Sequence, residues 1–350
     1  MSDGNRSDVE QRLAELNDNV RKASLRGAWQ RAGRAREPGA SPWVWRWKDI
    51  LPSITEAGEI VPIDDVMRMR TIGLVNPSQV LPFGTTRTFG VTIQHLNPGE
   101  TTESHRHTPA SIYFTIQGGG VYTTAEGEQQ FMEPGDLLVQ PSWTWHGSQN
   151  TGGTPALWLT AMDISLADYL GAWFREKYPG ERVQPFTKAD GYHLRRMGGL
   201  RSSAALEGEG PFPVKYPWRE TLETLEELAA AGEGDPHDAV VLDYANPLDG
   251  GPTTATLGCR VQMLRPGEET VSHRHTGNAI YHVVQGSGHM KIGGSKTEEE
   301  VLDWGQRDCF VIPSWYWHRF RNDSSAEPVI LFSVNDRPLL ESIGLYREEG

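Results

Sequence analysis

Histidines occur in the same short pattern twice along this 350-residue chain. The first copy, G-E-T-T-E-S-H-R-H, contains His105 and ends at His107, and the second copy, G-E-E-T-V-S-H-R-H, ends at His275. Each copy is followed further along the chain by P-S-W-x-W-H, which ends at His146 or at His318. Six of the eleven histidines therefore occupy matched positions, and a metal site explains this better than chance placement.

The spacing within the first copy predicts how its histidines meet. Residues two apart on a β-strand face the same side, so His105 and His107 can converge while Arg106 faces outward. His146 would join them from a separate strand that follows a proline turn. Three nitrogen ligands leave other coordination positions open, which is typical of catalytic metal sites. We therefore predict a metal site at His105, His107 and His146.

The second copy predicts a weaker candidate site, formed by His273, His275 and His318. An H-x-H pair can also be an ordinary feature of a strand without any metal. The third histidine and the repetition argue against that alternative in the first half. In the second half it stays open, because a duplicated domain can keep its ligand set after losing activity.

Composition narrows the class of protein. The chain is 37% hydrophobic and 23% charged, with 38 glycines and 23 prolines, which suits a globular fold with many tight turns. A formal net charge of −13 disfavours nucleic acid and anionic membranes as partners. No apolar run approaches the ~20 residues of a membrane helix, and the start lacks the apolar core of a signal peptide. We expect a cytoplasmic protein in which Cys259 and Cys309 are buried free thiols.

Short β-like segments separated by turns predict an all-β dominated fold, a sandwich or barrel made twice. The strands are predicted over 88–96, 111–116, 136–139 and 156–162 in the first half, and over 260–264, 279–284, 309–312 and 329–334 in the second. The predicted divisions are an N-terminal helix and tryptophan arm (1–83) packed on the barrels, a first barrel (84–165), a helical connector (166–250) and a second barrel with a tail (251–350).

Helices are predicted around these barrels. A capping box at Ser7–Glu10 starts a helix that ends near Gly27. Residues 51–60 suit a short helix, and 68–75 a strand. Ser165 caps a helix that runs to about Tyr178, and Glu220–Ala231 is a helix that Gly232 ends. Three alternating tryptophans, Trp43, Trp45 and Trp47, are typical of core or subunit contacts.

The motifs resemble those of the cupin family. The first cupin motif matches Gly99, His105, His107 and Gly119, and the second matches Gly135, Pro141, His146 and Asn150. The later half matches at Gly267, His273, His275, Pro313, His318 and Asn322. Ile112 and Ile280 stand where the family has a glutamate ligand. Each candidate site therefore has three neutral ligands, so an anionic chelating substrate could bind a divalent metal directly.

From about residue 12 to 340 the chain resembles more closely the bicupin ring-cleaving dioxygenases that act on gentisate, salicylates and 1-hydroxy-2-naphthoate. The resemblance rests on S-P-W-V-W-R-W-K-D-I-L-P (41–52), R-T-I-G-L-V-N-P (70–77), T-I-Q-H-L-N-P-G-E-T (92–101), H-R-H-T-G-N-A-I-Y-H-V-V-Q-G (273–286) and F-V-I-P-S-W-Y-W-H (310–318). It implies two tandem jelly-roll-like cupin barrels (double-stranded β-helices), Fe(II) at His105, His107 and His146, and a homotetramer. The implied reaction uses O2 to open the ring of an aromatic acid between its carboxyl-bearing and hydroxyl-bearing carbons.

The same resemblance implies a substrate site. Arg70 and Gln94 match residues that approach the substrate, and Tyr113, Trp145 and Ser148 are further predicted contacts. Tyr113 stands where the family has a second arginine, and Ser148 where it has a histidine. Gly90 and Thr160 replace a tryptophan and an aspartate. This altered pocket favours a 5-substituted salicylate (nitro, amino, halo or hydroxy) or 1-hydroxy-2-naphthoate.

Other interpretations of these residues remain open. Arg70 could form an ion pair, Gln94 could satisfy a buried backbone group, and Tyr113, which Tyr281 matches, could be a core residue of both repeats. Trp145 could pack the barrel. At the level of function, the alternatives are another cupin dioxygenase that cleaves diketones or flavonols, and a non-catalytic bicupin that binds a small ligand.

Overall fold

The computed structural model describes residues 3–25, 39–63, 69–78, 84–197 and 212–350. It divides into two compact units, Met1–Pro38 and Gly39–Gly350. The first unit contains helix α1 (Asp3–Lys22), which begins before the predicted capping box. The predicted end of this helix, Gly27, lies outside the described residues. Val9, Leu13 and Leu16 of α1 are exposed.

The second unit contains two β-rich barrels and short helices. Its helices are α2 (Trp47–Ile60), α3 (Ile164–Tyr169), α4 (Tyr192–Met197), α5 (Trp218–Ala231) and α6 (Arg337–Ser342). Its strands are β1 (Trp43–Trp45), β2 (Thr71–Gly73), β3 (Gly90–Leu96), β4 (His105–His107), β5 (Ser111–Gln117), β6 (Val121–Ala125), β7 (Glu128–Met132), β8 (Leu137–Gln140), β9 (His146–Asn150), β10 (Ala156–Met162), β11 (Arg175–Lys177), β12 (Val214–Tyr216), β13 (Val240–Asp243), β14 (Gly258–Leu264), β15 (Arg274–His275), β16 (Ala279–Gln285), β17 (Gly288–Ser295), β18 (Glu298–Trp304), β19 (Cys309–Ile312), β20 (Trp317–Asn322), β21 (Val329–Asn335) and β22 (Glu348–Glu349).

The N-terminal barrel is built from two antiparallel sheets. One has the strand order β12-β8-β5-β10-β3-β2 and the other β11-β4-β9-β6-β7. The second sheet contains all three predicted ligands of the first half, because β4 pairs with β9 and places His105 opposite His146. Turns join most neighbouring strands, which explains the many glycines and prolines of the sequence.

The C-terminal barrel repeats this arrangement. Its large sheet has the order β1-β19-β16-β21-β14-β13, and its other strands form the sheets β18-β17-β20 and β15-β22. The tryptophan arm supplies the edge strand β1, in which Trp43 pairs with Val311 of β19. Trp45 and Trp47 pack against the hydrophobic core, as expected, whereas Trp43 is 45% exposed.

Most sequence predictions in the barrels are confirmed. The strands predicted at 156–162 and 309–312 have those bounds, and the strand predicted at 68–75 is the shorter β2. The other predicted strands differ at their ends by one to two residues. Helix α5 ends before Gly232, which is left-handed with φ 77°. Cys259 and Cys309 are buried and free. The division of the chain at 83, 165 and 250 stays a prediction.

One predicted helix is wrong. The helix that starts near Ser165 ends at Tyr169 instead of Tyr178, and Gly171 follows with φ 64°. The later residues Arg175–Lys177 form β11, antiparallel to β4. Backbone hydrogen bonds hold the segment there: the Thr108 amide donates to the carbonyl of Phe174, and the Tyr178 amide to that of Ser104. Pairing with a distant strand therefore outweighs the local helical pattern.

The two barrels share one core. The rings of Phe114 in β5 and Phe332 in β21 stack with their centroids 4.0 Å apart. Beside them, two matched hydrogen bonds cross between the barrels. The Thr256 hydroxyl donates to Asp163 at 2.6 Å, and the Thr88 hydroxyl donates to Asp336 at 2.5 Å. Residues of both barrels therefore belong to one hydrophobic cluster.

Candidate active site

The three predicted ligands of the N-terminal barrel lie together. The ring centroids of His146 lie 4.5 Å from His105 and 4.8 Å from His107, and all three side chains are buried. One potential ligand atom from each residue lies within 4.8 Å of the other two. Strand geometry brings this about, since His105 and His107 share a face of β4 and His146 is the register partner of His105.

Hydrogen bonds orient each imidazole. The Nδ1 atoms of His105, His107 and His146 lie 2.8, 2.7 and 2.9 Å from the carbonyl oxygens of Glu103, Pro109 and Thr144. A carbonyl only accepts, so each Nδ1 carries the proton and each Nε2 offers a lone pair. Such backbone contacts are a usual means of fixing the tautomer of a metal-binding histidine.

Burial keeps these imidazoles neutral. Burial, and then the charge of Arg175, lowers the pKa of His105 to about 3. Burial lowers the pKa of His107 to about 4, and Arg175 acts in the same direction. Burial also lowers the pKa of His146, with His105 and His107 adding to the shift. All three therefore present lone pairs at neutral pH, the form that a metal ion needs.

A cavity of about 480 Å³ opens beside the triad. His105 and His107 form part of its wall, together with the polar residues Gln94, Ser111, Tyr113, Thr160 and Arg175. The rest of the wall is mostly apolar and includes Met69, Leu74, Val75, Val91, Met162, Ile164 and Trp173. A pocket of this size with few polar groups is typical of small-molecule sites.

Arg175 is the cationic residue of this wall that the sequence analysis missed. It lies opposite His107 in the register of β11 with β4, so it faces the same side as the ligands. Its neighbour Glu176 points the other way and accepts hydrogen bonds from Arg106, the outward residue between the ligands. No sequence pattern indicates this role, because the correspondence of Arg175 with Glu348 follows only from the register of the two added strands.

Of the predicted substrate contacts, Gln94 and Tyr113 line the cavity. Both are buried, and burial raises the pKa of Tyr113 above its usual value, so its phenol stays neutral. Thr160, which replaces a family aspartate, lies in the same wall.

Arg70, a predicted substrate contact, forms an ion pair with Glu100, which was the alternative left open by the sequence. Its guanidinium donates two hydrogen bonds of 2.6 Å to the carboxylate of Glu100 and a third to the carbonyl of Val61, just past the end of α2. It is 4% exposed and does not line the cavity. A guanidinium used in this way ties helix α2 to the barrel.

Trp145 and Ser148 also lie away from the cavity. Trp145 comes directly before His146, the first residue of β9, and its side chain faces outward. There the Cζ atom of Arg106 lies 4.5 Å from the centroid of the Trp145 ring. Ser148 is buried, and its hydroxyl lies 2.8 Å from that of Thr123. These positions favour a structural role for both residues.

Several buried polar atoms around the cavity have no hydrogen-bond partner among the described residues. They are Gln94 Oε1, Ser111 Oγ, Thr160 Oγ1 and His146 Nε2. Buried polar atoms are normally paired in native proteins, so such a group indicates a missing ligand. The unpaired His146 Nε2 in particular fits a metal ion, because its lone pair joins those of His105 and His107.

The C-terminal triad is built in the same way. His273, His275 and His318 also place one potential ligand atom each within 4.8 Å of the others. The cavity beside it is only about 30 Å³ in volume. The chain is thus a two-barrel protein with a buried histidine triad that could hold a metal ion beside a ligand-sized cavity in its first barrel. None of the helices among the described residues is long and apolar enough to span a membrane.

Comparisons with known proteins agree with this class. The family model for the Cupin domain matches residues 92–162 and 260–335. A 5-aminosalicylate 1,2-dioxygenase from Comamonas sp is 36% identical over 345 residues, which cover 96% of this chain and 90% of the relative. A 1-hydroxy-2-naphthoate 1,2-dioxygenase from Nocardioides sp. (strain KP7) is 37% identical, over 93% of this chain and 84% of the relative.

A solved structure is similar over nearly the whole length. Salicylate 1,2-dioxygenase from Pseudoaminobacter salicylatoxidans, in its adduct with gentisate, has a TM-score of 0.85 at 28% identity, covering 97% of this chain and 93% of that one. The chain belongs to the bicupin family of ring-cleaving dioxygenases that includes gentisate, salicylate and 1-hydroxy-2-naphthoate 1,2-dioxygenases. The predicted fold, family and enzyme class are confirmed.

Proposed function

We propose that this enzyme uses Fe(II), held by His105, His107 and His146, to cleave a salicylate-type acid between its carboxyl-bearing and hydroxyl-bearing carbons. The observation that supports this proposal best is the 480 Å³ cavity, because it places a metal-ligating triad, one arginine and an apolar wall around one space. An aromatic acid has the complementary parts: two oxygens that can chelate a metal, one negative charge and a flat apolar ring.

The donor set supports a divalent redox metal. Three neutral imidazoles suit iron, copper, nickel or zinc, and they do not cancel the charge of the ion. When bound, Fe(II) supplies a centre that can accept O2 and the chelating oxygens of the substrate together. The three Nδ1–H···O=C hydrogen bonds hold the ligands in place for this centre.

Arg175 is proposed to orient the substrate. Arg175 lies opposite His107 in the register of β11 with β4 and shares the cavity wall with His105 and His107, so it is placed to attract the carboxylate of an acid bound there. Gln94 Oε1, which has no partner among the described residues, can accept a hydrogen bond from the substrate hydroxyl. Together these groups would fix the ring carbons that react.

The apolar wall supports a substrate with bulk on the ring. Leu74, Val91, Met162 and Trp173 offer hydrophobic surface away from the polar groups. We therefore propose a 5-substituted salicylate (nitro, amino, halo or hydroxy) or 1-hydroxy-2-naphthoate. The two relatives named above act on one monocyclic acid and one fused-ring acid of this kind.

Oxygen uptake tests both the substrate and the metal. The metal-free full-length enzyme would be reloaded with Fe(II), Mn(II), Co(II) or Zn(II) and supplied with salicylate, its 5-amino, 5-nitro and 5-chloro derivatives, gentisate, and 1-hydroxy-2-naphthoate. We expect uptake with Fe(II), and a product that gains both atoms of labelled O2. Failure of every acid with the iron-loaded enzyme would contradict the substrate class, and equal activity with Zn(II) would contradict the requirement for iron.

We also propose a cytoplasmic homotetramer. Val9, Leu13 and Leu16 leave an exposed apolar stripe along α1, a type of surface that oligomers commonly bury. Buried free thiols at Cys259 and Cys309 suit a reducing compartment. Sedimentation of the full-length protein and of L13E/L16E tests the assembly: we expect a tetramer that the double substitution weakens, and a monomeric wild type would contradict it.

A further inference from the structure

We propose that Arg106, on the outer face of the first barrel, is a positioning residue for Arg175 in the cavity wall. Arg106 acts through Glu176, the neighbour of Arg175 on β11. The inference rests on the proposed role of Arg175 in attracting the substrate carboxylate. It extends that role to a residue that does not line the cavity.

Strand β11 is short, and its register separates two roles. It has only three residues, so its pairing with β4 is a weak anchor by itself. Arg175 lies opposite His107, and Glu176 lies opposite Arg106. Because alternate residues of a strand face opposite sides, Arg175 lies on the cavity side and Glu176 on the outer side. The outer contacts of Glu176 therefore help to determine where Arg175 lies.

Arg106 and Glu176 form a directed ion pair across the two strands. The Nε and Nη2 atoms of Arg106 donate hydrogen bonds of 2.9 and 2.6 Å to one carboxylate oxygen of Glu176. Opposite charges that face each other across neighbouring strands stabilise their pairing, and charge-assisted hydrogen bonds give it a defined geometry. This pair fastens β11 to β4 at the residue between His105 and His107.

Two tryptophans hold Arg106 in place. Its Cζ atom lies 4.4 Å from the ring centroid of Trp143 and 4.5 Å from that of Trp145, and both distances are within the range of a cation–π contact. An exposed ion pair is usually weak, because two long side chains lose freedom when they meet. Arg106 has already lost much of that freedom to the rings, so it can keep Glu176 in one place.

The backbone of Trp143 adopts a strained conformation. Its φ is 65°, in the left-handed region that residues other than glycine rarely adopt. Its amide donates a hydrogen bond of 2.8 Å to the carbonyl of His107, which holds this turn against the ligand strand. Strain of this kind persists only where surrounding contacts compensate for it, and the contact between the ring and Arg106 is one that does.

The second barrel contains the same outer cluster beside a different inner residue. Arg274 lies 4.3 Å from the ring of Trp315, whose φ is 70°, and donates hydrogen bonds of 2.9 and 2.6 Å to Glu349. The neighbour of Glu349 on β22 is the anion Glu348, and the cavity there is only about 30 Å³. Loss of Arg274 should remove similar contacts without changing the binding of an acid, so R274Q is a matched control.

Binding of salicylate to the Zn(II)-loaded full-length protein tests the proposal without turnover. Calorimetry measures the Kd, and the zinc content of each variant is determined in parallel. We expect R106Q and E176Q to raise the Kd about 3- to 10-fold, and R274Q to leave it within about twofold of wild type. R106K keeps the charge but not the planar group that stacks and donates twice, so it should recover only part of the loss.

The double variant R106Q/R175Q separates positioning from a general effect on stability. If Arg106 acts through Arg175, the double variant should bind salicylate as weakly as R175Q does, because no cation is left to position. Independent effects would multiply instead. Multiplying effects, or an equal rise in the Kd of R106Q and R274Q, would overturn the proposal.

Hydrogen exchange over residues 172–180 tests the link in the absence of any ligand. The amide of Tyr178 donates to the carbonyl of Ser104 at 2.9 Å, so it is protected while β11 stays attached. Exchange should be faster in R106Q and unchanged in R274Q. Unchanged exchange in R106Q would overturn the proposal. A wild type that does not bind salicylate would contradict the proposed substrate class instead, and faster exchange in R106Q would still support the link to β11.

Discussion

The two barrels of this enzyme have the same scaffold, but the short strand that pairs with each H-R-H segment brings a residue of opposite charge. Arg175 pairs with His107 in the first barrel, and Glu348 pairs with His275 in the second. Trp173 lines an open cavity of about 480 Å³, whereas the matching Tyr346 covers a cavity of about 30 Å³.

The comparison shows where the difference between the barrels arises. Residues 105–107 and 273–275 carry the same H-R-H sequence, and both arginines, Arg106 and Arg274, face outward onto tryptophans. The short strands β11 and β22, which come from outside the barrels, bring in the residues that differ. The added strand therefore supplies the charged residue that differs between the two triads, Arg175 in the first barrel and Glu348 in the second.

The largest expected effect separates the two triads. H105A should lower oxygen uptake about a thousand-fold or more, since a metal centre contributes several kcal/mol to such reactions. H273A should have a much smaller effect on turnover per folded molecule, because the cavity beside its triad is only about 30 Å³. Oxygen-electrode assays of both variants check this, and an equal loss in the two would break the comparison.

Replacing Arg175 should have the next largest effect. R175Q should raise the KM for the aromatic acid about 10- to 100-fold, because a hydrogen bond to a charged group contributes about 1.5–3 kcal/mol. R175K should recover part of this loss. K177Q is the charge-matched control, since Lys177 lies on the same strand, is 58% exposed in its side chain and does not line the cavity. Equal KM values for R175Q and K177Q would refute a direct contact.

Arg70 and Arg265 allow the stability of the two barrels to be compared, because each links the end of a helix to its own barrel through hydrogen bonds. Arg70 joins the end of α2 to Glu100, and Arg265 joins the carbonyl of Glu233, past α5, to Glu268. R70Q should destabilise the fold by about 1–3 kcal/mol, with Glu100 partly exposed. R265Q, at a more exposed pair, should cost about 1 kcal/mol or less.

Denaturant unfolding measures the free energy difference for these two variants, and substrate titration at low temperature measures the KM. We expect R70Q to leave the KM unchanged. A rise in the KM of R70Q as large as that of R175Q would show that Arg70 contacts the substrate.

The smallest effect concerns the matched carboxylates between the barrels. Burial raises the pKa of both Asp163 and Asp336 above the ordinary value of 3.8. A carboxyl whose pKa is raised by folding stabilises the fold in its protonated form, and this contribution is lost as the pH rises through the raised pKa. Neither D163N nor D336N has a titrating carboxyl at its site, so neither loses this contribution as the pH rises. The difference in melting temperature, variant minus wild type, should therefore increase from pH 4.5 to pH 7.5. A difference that decreased over this range in either variant would contradict the raised pKa.

The local sequence pattern was sufficient to predict most strands of the two barrels. The strands at 156–162 and 309–312 were predicted to the residue, since buried strands alternate with turn residues that are visible in the sequence. The helix predicted to reach Tyr178 failed, because the segment around Arg175 gains more from pairing with β4 than from continuing a helix. Strand pairing between distant segments cannot be inferred from the periodicity of either one.

The candidate site likewise has some features that the sequence predicts and others that depend on tertiary contacts. The sequence by itself determined the two H-x-H pairs, the third histidine of each triad and the absence of a carboxylate ligand, because these depend on residue type and on which face of one strand a residue takes. Only the tertiary structure decided that Arg175 lines the first cavity, that Arg70 is held by Glu100, and that Tyr346 and Glu348 line the second cavity. Those outcomes depend on which distant segments pair and in what register, and that is set by the packing of the whole molecule.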